Sequence, residues 1–155
     1  MIAAISALAF LRLATIERYW AEAPALQEKV LAAARADLRG LPAQSTVILD
    51  GVCPYYGPAV VFEEAWDFGG ALTLALGRPM RGDTVSPRMS VTPAGLATSI
   101  YKQPSLYPYG PQLYVYNPVR HVLAPLTDSR AAARYFTTRQ PTRCPRGFVA
   151  RGVEV

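Results

Sequence analysis

By type and spacing, three acids are the residues of this chain best suited to chemistry. Asp50 ends the β-branched run "STVILD" at 45–50, where open α/β sheets carry ligand-binding groups beyond the carboxyl ends of their strands. Glu63 and Asp67 are four apart in "EEAWDFGGALTLAL". On a helix they would share a face, and paired carboxylates can shuttle protons or hold a divalent cation. Asp50, Glu63 and Asp67 are therefore the candidate catalytic residues of a hydrolase or transferase. The competing explanation is structural, since Asp before Gly often serves a turn and acids at a helix start offset its dipole. A second candidate set is aromatic. Tyr55, Tyr56, Tyr101, Tyr107 and Tyr109 fall in or beside loops rich in Pro and Gly, and a ring on a stiff loop suits stacking on a sugar face or holding a peptide. The same rings could instead cover the ends of a small sheet. His121, the only histidine, has no local triad signature and reads as a surface or edge-strand residue.

Several familiar sites are absent. The sequence has no G-x-x-x-x-G-K-[ST] phosphate loop, no G-x-G-x-x-G fingerprint and no H-E-x-x-H, and it has no G-x-S-x-G. No cofactor and no metal is implied. The net charge of +5 rests on sixteen basic residues, fourteen of them Arg. From 129 onward, Arg130, Arg134, Arg139, Arg143, Arg146 and Arg151 face one acid, Glu154. Such a stretch could touch lipid headgroups or phosphate, or be a solvated basic face. Without an aromatic-basic RNA motif, nucleic acid is not an expected partner.

The elements that must position these residues follow from periodicity. Residues 2–11 are apolar apart from Ser6, and Arg12 interrupts them. The stretch is too short to span a bilayer, which takes about 20 apolar residues, and it lacks the basic start of a signal peptide. It reads either as the end of a transmembrane helix or as a helix packed on a soluble core, with "RYW" at 18–20 suited to the interfacial belt. Leu26, Val30, Ala34 and Leu38 recur at helical spacing, which predicts an amphipathic helix stopped by Gly40 and Pro42. Pro24 marks its first turn or a kink with the preceding segment. "STVILD" predicts a buried strand, and residues 63–76 a helix whose Gly69 and Gly70 pack closely on a sheet. "TVSPRMSVT", "GLATSIY", "QLYVYN" and "HVLAPL" predict short strands. The last three suggest an antiparallel meander, with "KQPSLYPYGP" a long loop between two of them. "DSRAAARYF" predicts a helix capped by Thr127 or Asp128, with Ala132, Tyr135 and Phe136 inward.

The expected fold class is mixed α/β (α+β). One mixed sheet with an antiparallel meander is packed by the N-terminal amphipathic helix and one or two further helices. Residues 1–22 form the end of a transmembrane or membrane-proximal helix, and residues 23–155 a single domain. With 51% hydrophobic and 17% charged residues, part of the chain is expected to meet something other than water. The two cysteines, Cys53 and Cys144, are too far apart for a C-x-x-C motif. Spacing allows one disulfide or two free thiols.

"LPAQSTVILDGVCPYYGPAVVFEEAWDFGGAL", "GLATSIY", "YPYGPQLYVYN" and the closing "CPRG" together resemble the C-terminal extracytoplasmic portion of uncharacterised bacterial multi-pass membrane proteins. Those proteins are similar to membrane glycosyltransferases that use lipid-linked sugar donors. The resemblance covers residues 41–147 and is most specific at "DGVCPYYGP" followed by "VFE" and "WD". It implies an inner-membrane protein with this domain on the periplasmic or extracytoplasmic side. Its partners would be membrane lipid, the remainder of a multi-pass protein, and a glycan, lipid-linked sugar or envelope protein held near Tyr55, Tyr56, Tyr107 and Tyr109. Because the acids of such glycosyltransferases sit in loops of the membrane part, it implies a non-catalytic accessory role here. It also implies a Cys53–Cys144 disulfide, since the outer compartment is oxidising. Arg12 and Arg18 alone would favour the cytoplasmic side, a weak signal where several upstream helices have set the orientation.

Overall fold

The computed structural model of the chain describes residues 2–63, 65–100, 103–139, 142 and 144. Its architecture is mixed α+β, as expected. A long helix, α1 (Ile2–Asp37), leads into β1 (Thr46–Leu49), a hairpin of β2 (Tyr55–Tyr56) and β3 (Ala59–Val60), and a second helix, α2 (Ala65–Leu76). The chain continues through β4 (Arg81–Thr84), β5 (Ser90–Val91), β6 (Gly95–Ile100) and β7 (Gln103–Pro108). It ends in β8 (Leu113–Asn117), β9 (Val122–Pro125) and α3 (Ser129–Thr138), which Asp128 caps by accepting the Ala131 N–H at 2.8 Å.

The β-branched run forms the centre of the main sheet. β1 pairs in parallel with β4 and β8, and β9 lies antiparallel to β8, giving the order β4-β1-β8-β9. A strand with neighbours on both sides and layers on both faces has no wet side, so its apolar residues need not alternate. Val47, Ile48 and Leu49 are accordingly all buried. Val47 and Leu49 pack in the core with α1 and α2, whereas Ile48 packs with α3 and with the separate sheet β5-β6-β7. Gly69 of α2 lies on Gly82 of β4, where an added Cβ would come within 2.9 Å of the Gly82 nitrogen. This contact accounts for a glycine that costs a helix roughly 1 kcal/mol relative to Ala. Gly70 has open space instead.

Two runs differ from expectation. The meander is built from β5, β6 and β7, and the hairpin of "QLYVYN" with "HVLAPL" joins the main sheet. "KQPSLYPYGP" is not a loop, because Gln103–Pro108 pairs with β6 along its whole length. Pro104 and Pro108 gave it the look of a loop. β7 is an edge strand, and the even spacing of the two prolines puts both missing N–H groups on the unpaired side, where proline is tolerated.

The two predicted N-terminal segments form one helix that runs through Pro24. At 1.5 Å per residue its 36 residues span about 54 Å. Ala23, Val30, Ala34 and the following Leu38 enter the core. Ile5, Leu8, Phe10, Leu11, Leu13, Ile16 and Trp20 are all exposed. At about 100° per residue, these seven surround the helix rather than forming a stripe. Among the described residues, no helix is long and apolar enough to cross a membrane.

Candidate functional site

Three parallel strands deliver their carboxyl ends to one edge of the main sheet. Ile48 stands beside Asp83 of β4 and Val115 of β8, and alternate residues share a face. Asp50, two beyond Ile48, and Asn117, two beyond Val115, therefore lie on the same face as Asp83, toward α3. An otherwise apolar layer ends in three buried polar side chains: Asp50 at 2% exposure, Asp83 at 1% and Asn117.

Buried polar groups are costly unless paired, and each of these has partners. Tyr135 of α3 donates its hydroxyl to Asp50 Oδ2 at 2.9 Å, and the Arg139 guanidinium donates to Asp50 Oδ1. Tyr107 of β7 donates to Asp83 Oδ2 at 2.7 Å, and the Thr84 N–H to Asp83 Oδ1 at 2.7 Å. Asn117 Oδ1 accepts the Arg120 N–H at 3.0 Å, and its amide fills the space where a Cβ on Gly51 would stand. Gly51 sits at φ +81°, so the Asp-Gly turn requires glycine on both counts. Burial, helped by the Asp50 charge, pushes the Tyr135 hydroxyl well above its ordinary pKa. Burial also raises the Asp83 carboxyl, opposed by the hydrogen bonds from Tyr107 and Thr84.

The other two candidate acids lie elsewhere. Thr84 is the register partner of Leu49 and so faces α2. Its hydroxyl donates to the Glu63 carbonyl at 3.0 Å, and the Glu63 carboxylate accepts from Tyr55. Because α2 begins at Ala65, Glu63 precedes the helix and shares no helical face with Asp67. Asp67 turns back instead, and its Oδ2 accepts the Glu63 N–H at 3.4 Å. Asp50 is thus on one face of the sheet and the Glu63–Asp67 pair on the other. Among the described residues no group of three or more His, Cys, Asp or Glu could hold a metal ion.

The candidate tyrosines are divided in the same way. Tyr55 and Tyr56 are strand residues rather than loop residues. The Tyr56 ring meets Tyr19 of α1 edge to face at 5.3 Å, and its hydroxyl is raised in pKa by its hydrogen bond to Glu22. Tyr19 also covers Gly57, where φ is +59° and a Cβ would strike the ring. Tyr107 and Tyr109 belong to the opposite core, and the Tyr109 hydroxyl donates to the Thr92 carbonyl at 2.9 Å. All four are half-buried, and they form two pairs instead of one rim. Tyr101, Arg143, Arg146 and Arg151 lie outside the described residues. His121 is an exposed turn residue whose Nδ1 is 2.8 Å from Asp37 Oδ2.

Cys53 and Cys144 form a disulfide, with Cα atoms 5.6 Å apart across a separation of 91 residues. It joins the loop after β1 to the segment after α3, the same two segments that Asp50 and Arg139 join. A disulfide of this kind points to an oxidising, extracytoplasmic location.

Sequence reasoning missed Asp83, Asn117 and the Asp50–Arg139 pairing. Asp83 lies just ahead of the run that signals a strand, and Arg139 looks like one more member of a basic tail. Only the even spacing of Asp50 from Ile48 hinted that Asp50 points into a core. No protein-family model, curated protein or solved structure matches the chain.

Proposed function

We propose that the chain is a non-catalytic accessory domain of a bacterial inner-membrane protein on its extracytoplasmic side. The first half of α1 holds it to the bilayer, and the folded part binds a glycan, lipid-linked sugar or envelope partner. The observation that carries this reading is the apolar surface of α1, exposed on every side from Ile5 to Trp20. Water is a poor environment for such a helix, and lipid a good one. The ten residues 2–11 rise about 15 Å, roughly half a hydrocarbon core. Arg18, Tyr19 and Trp20 follow, the residue types that bridge lipid and water. The disulfide supports the outer side, and the sequence resemblance supports a multi-pass, glycosyltransferase-like parent. The non-catalytic reading draws on Asp50, whose two oxygens are taken by Tyr135 and Arg139 in a buried site. A group held in that way braces the fold and is poorly placed to exchange a proton with substrate.

The test is flotation of the full chain with phosphatidylcholine–phosphatidylglycerol vesicles. The chain is expected to rise with the lipid. The double variant Phe10→Glu, Leu11→Glu is expected to stay at the bottom with its circular dichroism and disulfide unchanged. An unaltered chain that also stays at the bottom overturns the reading.

A further inference from the structure

We infer that the chain pairs with a second copy of itself through the outer face of α2, two such helices crossing antiparallel at Gly70. Phe68, Gly69 and Leu72 turn one side of α2 into the core. The opposite side carries Trp66 at 65% exposure, Gly70 in the open, and Leu74 at 87%. The three are four apart, so they form one ridge of the kind along which packed helices most often interlock. Two large apolar side chains set together in water mark a surface that another molecule covers. The glycine between them points to a helix as the cover. Gly69 has its reason within the chain, in its contact with Gly82. Gly70 has none, because an added Cβ would meet nothing within 4 Å, and glycine weakens a helix interior. Bare backbone in the middle of an exposed apolar ridge lets a second helix approach closely.

Symmetry and charge select a second copy as that helix. Trp66 and Leu74 stand about 6 Å to either side of Gly70 along the axis. In an antiparallel pair related by a two-fold at Gly70, each Trp66 falls on Leu74 of the partner subunit, and the contact is made twice. The entry of α2 is acidic, with Glu63 and Asp67, and the chain leaves the helix through Arg78 to the exposed Arg81. Antiparallel copies set each acidic entry beside the other's basic exit, whereas parallel copies would set acid beside acid. One helix pair covers less than the roughly 800 Å² per subunit of a standard interface, so the dimer forms and separates with concentration. The pairing uses no residue of α1 and is independent of the membrane attachment proposed above.

The full-length protein is tested in detergent micelles, which cover the apolar half of α1. In sedimentation it is expected to dimerise as its concentration rises. Gly70→Leu fills the crossing point while improving the helix, so it is expected to weaken the dimer at least tenfold and to raise the urea midpoint of unfolding. Gly70→Cys sets two thiols face to face. Helix axes about 8–10 Å apart, with Cα atoms about 2.3 Å from each axis, leave up to about 5 Å between facing Cα atoms, which a disulfide can bridge. Mild oxidation is expected to link this variant into a covalent dimer. Leu74→Cys, whose two copies lie about 12 Å apart along the axis, is expected to stay unlinked. Dimers that survive Gly70→Leu unchanged, or that link through Leu74→Cys as readily as through Gly70→Cys, overturn the antiparallel pairing. A monomer at every concentration overturns self-association and leaves the ridge to a different protein.

Discussion

Before Tyr19, α1 carries Ile5, Leu8, Phe10, Leu11, Leu13 and Ile16 in the open; after Trp20 the same helix buries Ala23, Val30 and Ala34 and keeps Lys29 and Arg35 outside. Both halves are rich in apolar residues, and only the second has them at a period that makes a stripe. Apolar content shows that a segment avoids water. Its period shows whether the protein itself supplies the shelter.

The comparison can be broken or sharpened in three ways. The largest effect is expected from Cys53→Ser or Cys144→Ser, which opens a loop of 91 residues and should lower the unfolding free energy by about 4 kcal/mol. Urea titration measures this, and vesicle flotation through the free half of α1 should survive it. Next, Leu38→Ala, at a fully buried site, should cost roughly 3 kcal/mol, whereas Leu8→Ala should fall within about 0.5 kcal/mol. Equal costs would mean that the first half is packed on protein after all.

The smallest effect concerns pH. The Tyr116 hydroxyl and His121 hold the Asp37 carboxyl below its usual range, at the end of the packed half. A depressed carboxylate stabilises the fold above its unfolded pKa, and that contribution disappears as pH falls through the lower folded value. Asp37→Asn should therefore flatten the loss of stability below about pH 4. An unchanged acid limb would mean that the bonds of Asp37 to Tyr116 and His121 do not help hold the packed half of α1.

The helices and the central strand were legible in the sequence because their patterns are local. Val30 and Ala34 repeat at four, Val47 to Leu49 are uniformly apolar, and Asp128 stands where a cap belongs. β7 was not legible, since Pro104 and Pro108 signal a break unless the strand is known to lie at an edge. The candidate site was half legible. Asp50, Glu63 and Asp67 could be named, but nothing local tells that Asp50 faces α3 while Glu63 and Asp67 lie on the α2 side.

By itself the sequence determined the elements, the apolar start and the availability of two thiols, because propensity and period act over a few residues. Tertiary structure alone decided that Cys53 meets Cys144 and that Arg139 and Tyr135 close on Asp50. Those pairings join residues 85 to 91 positions apart. They depend on the order and direction of strands in the sheet, which no short window of sequence contains.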